Sequence, residues 1–284
     1  MIRFGPSGND VLFYEQGNKS SIQAPAWLAA MGLSAYEVNF GRGINMGDKM
    51  AQELGEQARA HNISVSFHAP YYINLASPEP DAIKKSYAYI EKCLNVAKIV
   101  NASDGANRVV IHIGSQCDLP RDTATQNCKK NLLWVVQELT RKGFDNFLLC
   151  IETMGRYKAI GTYREICEIC KIDSRIIPTL DFGHINCVAQ GELQRDPNRM
   201  REIVEYCINE IGREKMERVH IHFSAIEYTA NGEHKHSTLD NPKWAFTFEP
   251  LARVIKEKNL SPIIICESQG NMAQDAKKLM NSYN

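Results

Sequence analysis

Eight short apolar segments punctuate this chain at an even pace, at residues 2–5, 35–40, 64–67, 108–111, 147–151, 176–180, 218–222 and 262–266. Helical periodicity fills most of the intervals, at 24–33, 46–61, 79–101, 123–142, 163–171, 197–212 and 248–258, and again after the last segment. Segments that are largely apolar, as at 147–151 and 262–266, suit strands covered on both faces, and parallel strands are joined by crossover helices. Eight such units with short connections predict an α/β fold, a closed (β/α)8 barrel rather than an open sheet. No linker or low-complexity stretch divides the 284 residues, so residues 1–284 are expected to form a single domain.

In such barrels the site is assembled at the C-terminal ends of the strands. The last six expected strands end in His68, His112, Glu152, Asp181 with His184, His220, and Glu267, and the loop after the seventh adds His234 and His236. Of eight histidines, all but His61 fall on this expected rim. Within Asp181-Phe-Gly-His184, a continuing strand would carry His184 to the opposite face, so the chain must turn after Asp181, and Gly183 permits the turn. Two readings of that stretch stand side by side. Asp181 either caps the next helix with His184 buried against it, or both are delivered to a metal centre.

Each of these residues alone reads as a cap or a core residue; their shared position points to a polynuclear metal site. Imidazole and carboxylate without clustered thiolate suits Zn2+, with Mn2+ or Fe2+ as alternatives. One catalytic ion takes about three or four protein ligands, and the candidates here suffice for two or three ions. Ions about 3.5–4 Å apart serve phosphoester displacement.

Charge and cysteine content narrow the partners. Lys+Arg and Asp+Glu both total 33, so no bulk positive field draws the chain to nucleic acid; such contact would come from a local patch or from bound ions. The N-terminus opens as a strand rather than a leader, and no apolar run approaches a membrane span. Nine cysteines, odd in number and scattered, suit reduced thiols and a cytoplasmic location. Cys167 and Cys170 have redox-motif spacing but lie inside a helical pattern, where packing is the plainer reading.

Ordered motifs add a resemblance over nearly the full length: His68-Ala-Pro-Tyr-Tyr-Ile-Asn-Leu-Ala-Ser77, His112-Ile-Gly-Ser115, Ile151-Glu-Thr-Met-Gly155, Leu180-Asp-Phe-Gly-His184, Val219-His-Ile-His222 and Cys266-Glu267. In these the chain resembles the endonuclease IV family of abasic-site endonucleases, within the xylose-isomerase-like barrels. The resemblance implies about three zinc ions: one held by His68, His112 and Glu152, a second by the bridging Glu152 with Asp181, His220 and Glu267, and a third by His184 and His236. It implies cleavage of duplex DNA on the 5′ side of an abasic site by a metal-bound hydroxide, with Glu152 as the bridging, catalytic carboxylate. Tyr71 and Tyr72 fall where that family inserts side chains beside the lesion; they equally suit two aromatics on a pocket wall. Arg42 is placed to reach a phosphate, unless it is simply solvated.

The departures are local. His234 occupies the place of the family's Asp ligand to the third zinc, leaving Glu233 or His222 as substitutes. His222-Phe223 replaces the usual Asn-Asp, and Phe4-Gly-Pro-Ser7 replaces Gly-Ala-His. A sugar isomerase or epimerase on the same barrel is the main alternative. It needs one ion held by Glu152, Asp181, His220 and Glu267, with the two glutamates moving a proton beside a carbonyl. Such an enzyme has no use for the surplus of His68, His112, His184 and His236.

Overall fold

The computed structural model describes residues 1–101 and 107–284. Its strands are β1 (Arg3–Pro6), β2 (Ala35–Asn39), β3 (Ser64–His68), β4 (Arg108–Ile111), β5 (Leu148–Glu152), β6 (Ile176–Asp181), β7 (His220–His222), β8 (Ile226–Thr229), β9 (Gly232–His236) and β10 (Ile263–Cys266). Eight form one parallel sheet in the order β1-β10-β7-β6-β5-β4-β3-β2. β1 pairs with β10, Arg3 opposite Ile263. The remaining seam, β1 against β2, is held by Gly8 N–H donating to the Glu37 carbonyl at 2.8 Å and Ser34 N–H donating to that of Phe4 at 3.0 Å. A Cβ on Gly5 would lie 1.7 Å from the Ala35 carbonyl oxygen, so only glycine allows the strands to approach this closely. The result is a nearly closed α/β barrel, as the alternation of segments predicts.

Side-chain alternation divides the packing in two. Outward residues, including Val65, Phe67, Val109, Ile111, Leu149, Ile151, Ile221 and Ile264, join the main core between sheet and helices. Inward residues form separate small clusters, Val110 with Leu148, Cys150 and Ile177, and Ala35 with Ile263 and Ile265. Cys167, on the helix Tyr163–Cys170, is buried with its Sγ 3.4 Å from Cys207 Sγ on the helix Asn198–Ile211.

Local signals set the helix ends. Pro80 opens the helix Pro80–Val100, and Asn101 ends it in the left-handed conformation at φ 45°. Thr162 and Glu165 form a reciprocal capping box, and Arg121 Nε donates to Glu165 Oε1 at 2.6 Å. Two segments hold elements that lie outside the strands and helices expected from the sequence. The stretch after β1 holds a one-turn helix, Val11–Glu15, capped by Asp10, whose carboxylate accepts from Phe13 N–H at 3.0 Å. The polar stretch after β7 is an antiparallel hairpin of β8 and β9. Its partly exposed strands carry charges on both sides, so no apolar pattern marks it.

Candidate metal centre

The rim is built by the strand ends. β3 ends in His68, β5 in Glu152 and β6 in Asp181; His112 and Glu267 follow β4 and β10 directly. After Asp181 the chain turns straight into the helix Phe182–Val188, and Asp181 Oδ1 accepts from His184 N–H at 2.7 Å. Both readings of this stretch therefore describe the same residues: Asp181 caps the helix, and the cap brings His184 to the rim. Gly183 has ordinary helical φ, so the turn does not require it. A Cβ there would meet the Ser224 carbonyl oxygen at 2.7 Å, so glycine is needed for close approach of the segment leading into the hairpin.

Three groups of donors meet at this rim: His68, His112 and Glu152; Glu152, Asp181, His222 and Glu267; and His184, Glu233 and His236. Within each group one ligand atom per residue lies within 4.8 Å of the others. His68 Nε2 and His112 Nε2 converge on a single oxygen, Glu152 Oε2, at 3.1 and 2.9 Å. His222 Nδ1 lies 3.1 Å from Glu152 Oε1 and 3.3 Å from Glu267 Oε2. His184 Nε2 lies 3.6 Å from Glu233 Oε2.

Two sequence assignments are corrected by this geometry. His222, rather than His220, joins Glu152, Asp181 and Glu267. Both rings face the lumen, being two residues apart, but the register sets Thr179 opposite His220 and Asp181 opposite His222. His220 therefore sits one layer lower, donating from Nε2 to Glu37 Oε2 at 3.0 Å. In the hairpin, Tyr228 pairs with Glu233 and Glu227 with Lys235, so His234 is the extra residue of a bulge. The bulge leaves His234 exposed and lets Glu233 and His236 address the same group.

Tyr71 and Tyr72 line a cavity of about 670 Å³ above the donors, together with Asn74, Ser115, Arg156 and Lys158. The Tyr71 ring stacks on His112 at 5.1 Å, and Tyr72 is 60% exposed at the mouth. Arg42 is exposed after β2 and is not among the cavity's lining residues. Glu37, fully buried on β2, is absent from the sequence reading. A glutamate inside a run of buried strand, 35-Ala-Tyr-Glu-Val-Asn-39, was the available signal, since such a charge needs partners.

The donor chemistry fits metal ions. His68 Nδ1 donates to the Ala69 carbonyl at 2.9 Å and His184 Nδ1 to that of Thr153 at 2.9 Å, while His236 Nδ1 meets Ser224 Oγ at 3.1 Å. One nitrogen of each ring is thereby tied to the protein and the other left for a ligand role. Asp181 Oδ2 is buried without a hydrogen-bond partner. Charge points the same way. Burial pushes the Asp181 carboxyl up, and the neighbouring Glu152 and Glu267 add to the shift against the attraction of His184 and His222. Burial opposes charge on Glu152 too, yet His112 and His222 hold it well below the usual range; His222 and His236 likewise bring Glu267 down to about 2. Burial disfavours the charged His68 ring, but its bond to Glu152 raises it to about 9. The site is a concentration of buried carboxylate that raises His68, His184 and His222 towards the charged form, while burial lowers His112; divalent cations can take over that balancing role.

The chain belongs to the xylose isomerase-like TIM barrel family, whose profile matches residues 25–283. An uncharacterised protein of Methanocaldococcus jannaschii is 30% identical over 284 residues, covering 100% of this chain and 97% of that protein. A probable endonuclease 4 of Mycoplasma pneumoniae is 27% identical over 213 residues, 72% of this chain and 68% of its own length. Among solved structures, a D-tagatose 3-epimerase-like protein aligns with a TM-score of 0.71 at 20% identity, covering 99% of this chain and 97% of its own, a likeness of fold.

Proposed function

We propose that the protein is a zinc-dependent endonuclease acting on abasic sites in duplex DNA, hydrolysing the phosphodiester on the 5′ side. The observation that carries this reading is the convergence of three donor groups, two of them sharing Glu152, beneath one open cavity. That set exceeds what a single catalytic ion takes, about three or four ligands. His68, His112 and Glu152 would hold one ion, Glu152, Asp181, His222 and Glu267 a second, and His184, Glu233 and His236 a third. Bound there, the ions would bring a water's pKa towards neutral and offset charge on the phosphate and the leaving oxygen. Tyr71 and Tyr72 offer flat surface to the gap left by a missing base, and Arg156 and Lys158 supply the local positive charge that the overall balance lacks. The chain would act as one domain, in the cytoplasm, where its free thiols stay reduced.

A sugar isomerase or epimerase has one observation in its favour: Glu152, Asp181, His222 and Glu267 alone form a complete four-donor set. Elemental analysis of protein purified without chelator or affinity-column metal separates the two, followed by a nicking assay on an abasic-site duplex. About three transition-metal ions per chain with nicking supports the endonuclease. One ion, retained when His68 and His184 are replaced, with no nicking, overturns it in favour of the sugar enzyme.

A further inference from the structure

Beneath the rim lies a second polar layer that no step of the proposed reaction uses. Glu37 is fully buried there. Its Oε2 accepts from Ser66 Oγ at 2.8 Å and from His220 Nε2 at 3.0 Å. Its Oε1 lies 3.2 Å from His222 Nε2, an ion-pair contact outside hydrogen-bond geometry, and both atoms are buried with no hydrogen-bond partner among the described residues. The other nitrogen of His222 is the one that faces Glu152 and Glu267.

We infer that Glu37 is a positioning residue for the metal centre, holding the Nε2 proton of His222 so that Nδ1 carries the lone pair directed at the rim. This rests on the metal-centre reading above. An imidazole that binds a cation through one nitrogen must keep its proton on the other, and a carboxylate behind it fixes both tautomer and ring angle. The alternative role for Glu37, His220 and His222 is a site for one more ion. The contact pattern separates the two. At the rim two imidazoles address the same oxygen of Glu152, as donors around one ion do. At Glu37 each imidazole addresses a different oxygen, His220 through a hydrogen bond and His222 through a 3.2 Å ion-pair contact, rather than both converging on one point. Ser66 and His220 then act on Glu37 itself: by occupying Oε2 they leave Oε1 to His222.

The test is metal affinity, measured on folded protein by competition with a chromophoric chelator, with the absorption spectrum of the Co2+-loaded protein as a second readout. Glu37→Met keeps the bulk and removes both acceptors; Glu37→Gln keeps the shape and one acceptor. The expected result is a loss of about 10–100-fold in affinity for one ion in Glu37→Met, a smaller loss in Glu37→Gln, a shifted Co2+ spectrum in both, and an unchanged ion count at saturation. If Glu37→Met fails to fold, Glu37→Gln and Ser66→Ala carry the same comparison, Ser66→Ala having the smallest effect. Folded variants with wild-type affinity and spectrum would overturn the inference while leaving the metal centre intact. Loss of a whole ion at saturation from both Glu37→Met and His220→Asn would overturn it too, making that triad a ligand set. A wild-type protein that binds no ion would remove the proposed function together with it.

Discussion

The upper and lower halves of the barrel lumen are made by the same strands, only two residues apart. Ser66 lies below His68, Val110 below His112, Cys150 below Glu152, Thr179 below Asp181, and Ile265 below Glu267. Burial alone does not distinguish them: Cys150, Glu152, Thr179 and Asp181 are all fully buried, and only His112 and Glu267 at the rim are partly exposed. What changes is the means of satisfaction. Of the lower residues, Val110, Cys150 and Ile265 fill space in small apolar clusters and Ser66 and Thr179 are small and polar, whereas the upper ones are ionisable and meet mainly one another. One step of strand alternation thus separates positions that hold the barrel together from positions that leave it with unspent electrostatic demand. Glu37 and His220 are the ionisable exception, a hydrogen-bonded carboxylate and imidazole kept in the lower layer.

That contrast is sharpest at Glu152. Glu152→Gln is expected to reduce nicking of an abasic duplex by about 10²–10³-fold and to lower the ion count per chain, with the fold intact by circular dichroism; a variant retaining full ion content and activity would break the distinction. Two residues below its neighbour Cys150, Leu148→Ala should do the opposite. Denaturant titration should show a loss of about 2–5 kcal/mol, with ion content per folded chain unchanged. Tyr72→Ala tests the wall above the rim, where a lost stacking surface should weaken binding of an abasic duplex by about 1–3 kcal/mol, read by fluorescence anisotropy, without altering the ions.

The smallest effect is expected far from the lumen, at Glu165. Burial raises its pKa, but the bond from Arg121 and the N–H groups of Thr162 and Gly161 lower it further, so the folded value lies below the ordinary one. A depressed folded pKa contributes stability above the unfolded value of about 4.3, and that contribution is lost as pH falls through the folded value. Glu165→Gln should therefore lower Tm at pH 7, by the equivalent of about 1 kcal/mol, and the gap from wild type should close as pH drops below about 4. A gap that widens in acid would place the stabilisation elsewhere.

Most of the barrel could be read from the chain because buried parallel strands announce themselves as apolar runs, and the rim donors because they sit at the ends of those runs. Register was the harder quantity. His220 and His222 have the same parity, so alternation alone cannot say which is level with Asp181; only the pairing between β6 and β7 does. The hairpin shows a different limit. A bulge adds one residue and reverses the sides that follow, so the contrast between Glu233 and His234 depends on a backbone irregularity that no side-chain pattern marks. Glu37 was overlooked because its partners, Ser66, His220 and His222, lie on other strands.

The pairing of β1 with β10 also bears on how the protein comes into being. All the other strands lie between these two neighbours in sequence, and the rim donor Glu267 directly follows β10. A folding chain carries β1 with that edge open until β10 pairs with it, a long-range contact of the kind that forms late. Glu267 reaches the other donors only at that moment. The second donor group is thus completed by the longest-range strand pairing of the barrel.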